Sequence, residues 1–173
     1  MPLTDPDLIA QYREIHQAGV YGQTSHRLIT QIRVCLLELD VDSVLEYGCG
    51  QSELHQRISG YDWRRYDPAI LELAEPPTQE ADFLLNVDVM EHVPERDVRE
   101  VLEHQRSLCT NAFFNIATRP AVRQLPSGEN AHCTVWTPEA WLTAITQHFP
   151  EANIAVLRPG HSCTIVTWAT KAG

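Results

Sequence analysis

The period of the apolar positions changes along the chain. Over residues 5–18 (DPDLIAQYREIHQA), Leu8, Ile9, Tyr12 and Ile15 recur at three- and four-residue spacing, which predicts an amphipathic helix. A polar break, GVYGQTSH, follows. The stretch SHRLITQIRVCLLELD then predicts a second helix, with Ser25 or Thr24 as N-cap and Leu28, Ile32, Cys35 and Leu36 on one face. Beyond it, short apolar runs alternate with helical segments. Strands are expected at 43–47, 63–67, 81–87, 112–117, 153–158 and 163–169, and helices near 52–59, 95–108 and 138–149. Such alternation predicts an α/β fold, a mostly parallel doubly wound sheet covered by helices. The last two strands are joined only by PGHS, so the C-terminal strand is expected to run antiparallel.

One connection is short. Only 13 residues (PAILELAEPPTQE, 68–80) separate the second strand from the third, and adjacent Pro76 and Pro77 oppose a long helix there. A helix and a strand that usually fill such a gap are expected to be missing or vestigial, leaving the second strand as an exposed edge. The 173 residues are read as one domain, with N-terminal helices or a lid over 1–40 and the α/β core over 41–173.

Composition narrows the partners. Thirteen basic against 23 acidic residues give a net charge of −10, which disfavours a phosphate backbone as substrate. Cys35, Cys49, Cys109, Cys133 and Cys163 are irregularly spaced with no C-x-x-C, so neither a disulfide framework nor a zinc knuckle is expected, and no metal site is read. No apolar run approaches the ~20 residues that span a bilayer, and the N-terminus is too polar for a signal peptide, so a cytoplasmic location is expected.

The chemistry concentrates in VLEYGCGQSELHQRI, residues 44–58. A strand ending in Glu46, a turn Gly48-Cys49-Gly50 and a following helix make the first βα unit of a Rossmann-like sheet. Asp67, 21 residues beyond Glu46, falls at the end of the second strand, where a carboxylate accepts hydrogen bonds from ribose hydroxyls. The third glycine of the dinucleotide fingerprint is replaced by Glu53. With Glu46 close by, that disfavours a pyrophosphate and favours an adenosine ligand with a cationic centre. No G-K-[ST] is present for a P-loop.

VLEYGCGQS resembles the first motif of the class I S-adenosylmethionine-dependent methyltransferases, with Ser52 at the place of the third glycine of G-x-G-x-G. YDPAI (66–70) resembles their second motif, NVDVMEHVP (86–94) the segment after the following strand, and HCTVWTPEAWLTAI (132–145) the segment leading into the late helix. The resemblance implies a Rossmann-like methyltransferase fold, S-adenosylmethionine as cofactor and a small-molecule acceptor. It implies that Gly48 and Gly50 approach the methionine part, that Glu46 positions its ammonium and that Asp67 holds the ribose. Pro68, Ile70 or the segment before Val89 is expected to help hold the adenine, and Asp88, Val89 and Met90 to run along the cofactor, although core packing is an equal reading for Val89 and Met90. Tyr21 either covers the sulfonium from a lid or packs on the core. His92 and His132 are the candidate acid-base groups, or hydrogen-bond their own loops. Arg119 and Arg123, on a long loop, either recognise an acidic acceptor or balance local charge. The competing functions are a non-catalytic S-adenosylmethionine-binding protein and a nicotinamide-dependent oxidoreductase.

Overall fold

A computed structural model describes residues 5–19 and 24–169. Helix α1 (Pro6–Ala18) starts where expected, with the Asp5 carboxylate accepting the Asp7 N–H and Pro6 in the first turn. A 3-10 turn (Thr24–Leu28) precedes α2 (Ile29–Leu39), so the expected second helix begins three or four residues late. Neither Ser25 nor Thr24 caps it. Ser25 is buried instead, with its hydroxyl donating to Ser52 Oγ at 3.2 Å.

The remaining elements follow the anticipated order. They are β1 (Ser43–Tyr47), α3 (Leu54–Arg57), β2 (Asp62–Tyr66), β3 (Phe83–Val87), α4 (Val98–Leu108), β4 (Asn111–Ala117), α5 (Pro138–Thr146), β5 (Asn153–Arg158) and β6 (Ser162–Val166). The sheet order is β2-β1-β3-β4-β6-β5; the pairings among β1, β2, β3 and β4 are parallel, and both pairings of β6 are antiparallel. Between β2 and β3 there is only a 3-10 turn, Leu71–Leu73. The second strand is therefore the sheet's edge, as the proline pair predicts, and Arg64 and Arg65 on it discourage a further strand from pairing.

Alternation along the strands builds two cores. Val44, Phe83, Leu85 and Phe113 face α2 and α3, joining Ile32, Leu36, Leu54 and Ile58. Leu45, Leu84, Phe114 and Ile116 point the other way, onto α4 and α5 with Leu102, Trp141 and Ile145. Successive side chains on opposite faces, both apolar, are the signature of a strand covered on both sides. Each buried Leu or Phe contributes ~1.5–3 kcal/mol of transfer free energy, so this two-faced burial holds the strand ends in fixed register.

Candidate active site

The chain order reverses at β1, because β2 lies on one side of it and β3 on the other. In an open α/β sheet, ligands bind outside the carboxyl ends of the strands at such a reversal. A cavity of about 700 Å³ opens there. One wall is the glycine turn, where the Gly48 and Cys49 N–H groups donate to Tyr66 O at 2.8 and 3.0 Å. Gly48 has φ +70°, and a Cβ on it would stand 2.5 Å from Val89 Cγ2, so this glycine is required by backbone and packing together.

Asp67 is the tie between the turn and β2. Its Oδ2 accepts the Gly50 N–H at 2.8 Å and its Oδ1 the Ala69 N–H at 2.9 Å, and it lines the cavity. Pro68, Ala69, Ala74 and Pro76 line it too, so the shortened connection still supplies an apolar wall; Ile70 does not reach it. Asp88 adopts φ +54° and is held by Asn115, whose Nδ2 donates to Asp88 Oδ1 at 2.7 Å. Asp88 and Val89 line the cavity, whereas Met90 does not. The 3-10 turn Met90–His92 buries Met90 completely in the core, the core-packing reading of the two that the sequence offered.

Glu46 lies behind the turn instead of in the cavity wall. It is buried, receives a hydrogen bond from the Ser52 hydroxyl and has Arg65 Nε 4.0 Å away. Arg65 also donates to Gly50 O at 3.3 Å and Ser52 O at 3.0 Å, bracing the loop. Arg65 went unnoticed in the sequence, yet it is the register partner of Glu46 across the parallel pair. Burial pushes the Glu46 carboxyl up to about 7, while Ser52 and Arg65 pull it down. Because this value lies above that of the unfolded chain, its stabilising contribution is complete below about pH 4.5 and is lost as pH rises through about 7. The loss is on the order of 3 kcal/mol. Urea unfolding from pH 4.5 to 8 should show the unliganded protein losing stability relative to Glu46→Gln by about that amount; parallel curves would rule the account out.

Glu53 does not line the cavity; it pairs with Arg57 at 3.0 Å, about half exposed. Helix α3 is a single turn of four residues, capped from outside by His26 Nε2, which accepts the Glu53 N–H at 3.0 Å. So short a helix offers little dipole to a pyrophosphate. Asp67 and Asp88 are the carboxylates of the cavity, faced by Arg13 and His16 from α1.

Helix α1 supplies side chains to the site that the sequence did not single out. Leu8, Ile9, Tyr12, Arg13 and His16 all line the cavity, while Ile15, with Leu8 and Tyr12 beside it, packs in a small core with Leu125 and Ala131. It is fastened by Gln51 Nε2 donating to His16 O at 3.2 Å, by Gln11 Oε1 accepting the Ser127 N–H at 3.0 Å and by an Arg96–Asp5 pair at 2.8 Å. Its Tyr12 hydroxyl lies 2.8 Å from His92 Nδ1. The i, i+4 spacing of Tyr12 and His16 placed them on one face and was the available signal. Tyr21, the expected lid residue, lies outside the described residues.

His92 lines the cavity and His132 stands behind it, with ring centroids 4.9 Å apart. Burial holds the His92 imidazole down to about 4, so it is neutral at physiological pH. Beside it, Glu91 is fully buried, and burial, then the charge of Asp88, raises its carboxyl well above the usual range. Arg119 and Arg123 are exposed and do not line the cavity. Their loop turns back on itself, buries Leu125 against Ile15 of α1, and presents Arg119 O to His132 Nδ1. The loop thus meets the site through its backbone and its leucine, while its arginines stand exposed outside the cavity wall.

The fold is shared with solved structures that include S-adenosylhomocysteine complexes and a methyltransferase domain. Among solved structures with it, DhpI in complex with S-adenosylhomocysteine is 16% identical, with a TM-score of 0.61 over 94% of this chain and 98% of that one. The N-terminal domain of EvdMO1 with S-adenosylhomocysteine bound is 13% identical, with a TM-score of 0.58 over 94% and 95% of the two chains. The methyltransferase domain of bacterial CtHen1-CN is 13% identical, with a TM-score of 0.59 over 82% of this chain and 97% of that one. No family model matches the chain, and no curated protein matches its sequence.

Proposed function

We propose that the chain is a methyltransferase that moves the methyl group of S-adenosylmethionine to a small-molecule acceptor. The observation that carries this reading is the coupling of Asp67 to the glycine turn at the mouth of a 700 Å³ cavity, without a helix long enough to hold a pyrophosphate. In this reading Asp67 accepts the ribose hydroxyls, and Pro68, Ala74 and Pro76 pack against the adenine. Gly48 and Gly50 let the methionine part approach. Arg13 supplies a cation for its carboxylate, and Asp88 and the cavity-facing backbone receive its ammonium. Glu46 acts from behind the loop, bonded to Ser52, which braces the turn beneath the methionine part.

The acceptor belongs beside His92, the neutral imidazole of the wall, which is placed to take a proton from an oxygen or nitrogen nucleophile. Holding nucleophile and sulfonium in line supplies most of the acceleration such a reaction needs. Titration of the purified chain with S-adenosylhomocysteine and with NAD tests the cofactor. A ligand at 100 times its Kd stabilises a protein by ~2.7 kcal/mol. That stabilisation is expected from S-adenosylhomocysteine and not from NAD. Transfer of label from methyl-labelled S-adenosylmethionine to a small-molecule acceptor then separates an enzyme from a mere binder, and stabilisation by NAD alone would overturn the assignment.

A further inference from the structure

We propose that Glu91, His92 and His132 form a binding site for a first-row divalent metal ion such as Zn²⁺, Co²⁺ or Mn²⁺, at the cavity wall. One ligand atom from each residue lies within 4.8 Å of the others. Bonds of ~2.0–2.1 Å to one tetrahedral ion place its ligands ~3.4 Å apart, so the side chains must draw together by up to about 1.4 Å to close the set.

The tautomers favour the ion. His92 Nδ1 is 2.8 Å from Ala131 O, and His132 Nδ1 is 2.6 Å from Arg119 O. A carbonyl oxygen only accepts, so each Nδ1 carries the proton and each Nε2 presents a lone pair. Imidazoles tied through one nitrogen to a backbone carbonyl, with the other nitrogen turned inward, are the arrangement that ligating histidines adopt. The third donor is Glu91, fully buried, with Oε1 accepting the Ala117 N–H at 2.8 Å and Oε2 without a hydrogen-bond partner among the described residues. Two imidazoles and a carboxylate suit the borderline first-row ions better than Mg²⁺ or Ca²⁺, which prefer all-oxygen shells.

The site is also built in advance. The Thr134 N–H donates to Glu91 O at 3.0 Å and its hydroxyl to Val93 O at 2.6 Å, stitching the segment that carries His132 to the turn that carries Glu91 and His92. Asn130 Oδ1 accepts the His132 N–H at 2.9 Å. Three protein ligands leave positions for water. In a part that rests on the methyl-transfer reading, such a water would lose a proton to solvent under the ion's charge, and the bound hydroxide so formed would accept the acceptor's proton in place of the occupied His92 Nε2 and return to water.

Titration of the chelator-stripped full chain with Co²⁺, without cofactor, followed by calorimetry and by visible absorption, tests the site. One equivalent with nitrogen and oxygen ligand-field bands is expected. His132→Ala, at a half-buried position, and Glu91→Gln should each weaken binding at least roughly tenfold, in line with the sensitivity of such sites. Cys133→Ser should bind as the parent does; its thiol lies beside the cluster, 3.1 Å from His92 O. Absence of bands and heat in the parent chain, undiminished binding in His132→Ala, or loss on Cys133→Ser would each overturn the assignment. S-adenosylhomocysteine titrated into the same samples reports on the methyl-transfer reading separately.

Discussion

Asp67→Ala is expected to weaken S-adenosylhomocysteine binding at least ~100-fold, measured by calorimetry, and to lower the stability of the unliganded chain in urea. Two ribose hydroxyls donating to one carboxylate make charge-assisted hydrogen bonds worth ~1.5–3 kcal/mol each, and every ~1.4 kcal/mol is tenfold in affinity. The loss of stability has a different origin. Both Asp67 oxygens already accept backbone N–H groups, from Gly50 and Ala69 at 2.8 and 2.9 Å, and alanine leaves those donors unpaired in a nearly buried position. That costs ~1–3 kcal/mol for each donor that water does not reach. Asp67→Asn separates the effects, because its amide oxygen can keep one backbone bond while the charge is gone. Its stability should approach that of the parent while its affinity stays low. Parent-like affinity in Asp67→Ala would remove the ribose from this end of the sheet.

The split between what the sequence revealed and what it hid follows the range of the interactions. Strand runs such as SVLEY and AFFNIA are local patterns that both cores reinforce, so β1 falls on its expected residues and β4 begins one residue early. The proline pair at Pro76 and Pro77 is an equally local prohibition, and the missing helix followed from it. Helix lengths were less legible. The stretch 52–59 yields only Leu54–Arg57, because Ser52 is occupied in a buried chain of hydroxyls from Ser25 to Glu46. What the sequence concealed are contacts between distant segments. Tyr12 meets His92 across 80 positions, and Thr134 meets Glu91 across the loop that follows β4. Glu91 sat between two residues already singled out, yet only the fold shows that its carboxylate is buried beside both histidines. Arg119 and Arg123 show the same limit: charge in a long loop suggests recognition, whereas the contacts that tie the loop to the site, Leu125 on Ile15 and Arg119 O on His132, carry no signal in the sequence.

Gly48→Ala is expected to cost ~2–4 kcal/mol of stability and to reduce S-adenosylhomocysteine affinity at least roughly tenfold. Two terms combine. The left-handed backbone, φ +70°, costs an L-residue ~1–2 kcal/mol by itself. The new Cβ would also stand 2.5 and 2.7 Å from the two Val89 methyls, and a β-branched side chain has few rotamers into which to retreat. The segment around Val89 must therefore shift, and Asp88, held at φ +54° by its bond to Asn115, shifts with it. The cavity wall moves in turn, which is why binding should fall with stability. Gly160 separates the terms, since it has the same φ of +70° but nothing within 4 Å of an added Cβ. Gly160→Ala should lose only the backbone part, and S-adenosylhomocysteine should bind it normally. Adding Val89→Ala to Gly48→Ala should recover part of the loss, and that recovery measures the coupling between glycine turn and Val89 directly. Equal losses at Gly48 and Gly160, with no recovery in the double variant, would leave only the backbone term and sink the claim that close packing against Val89 makes this glycine necessary.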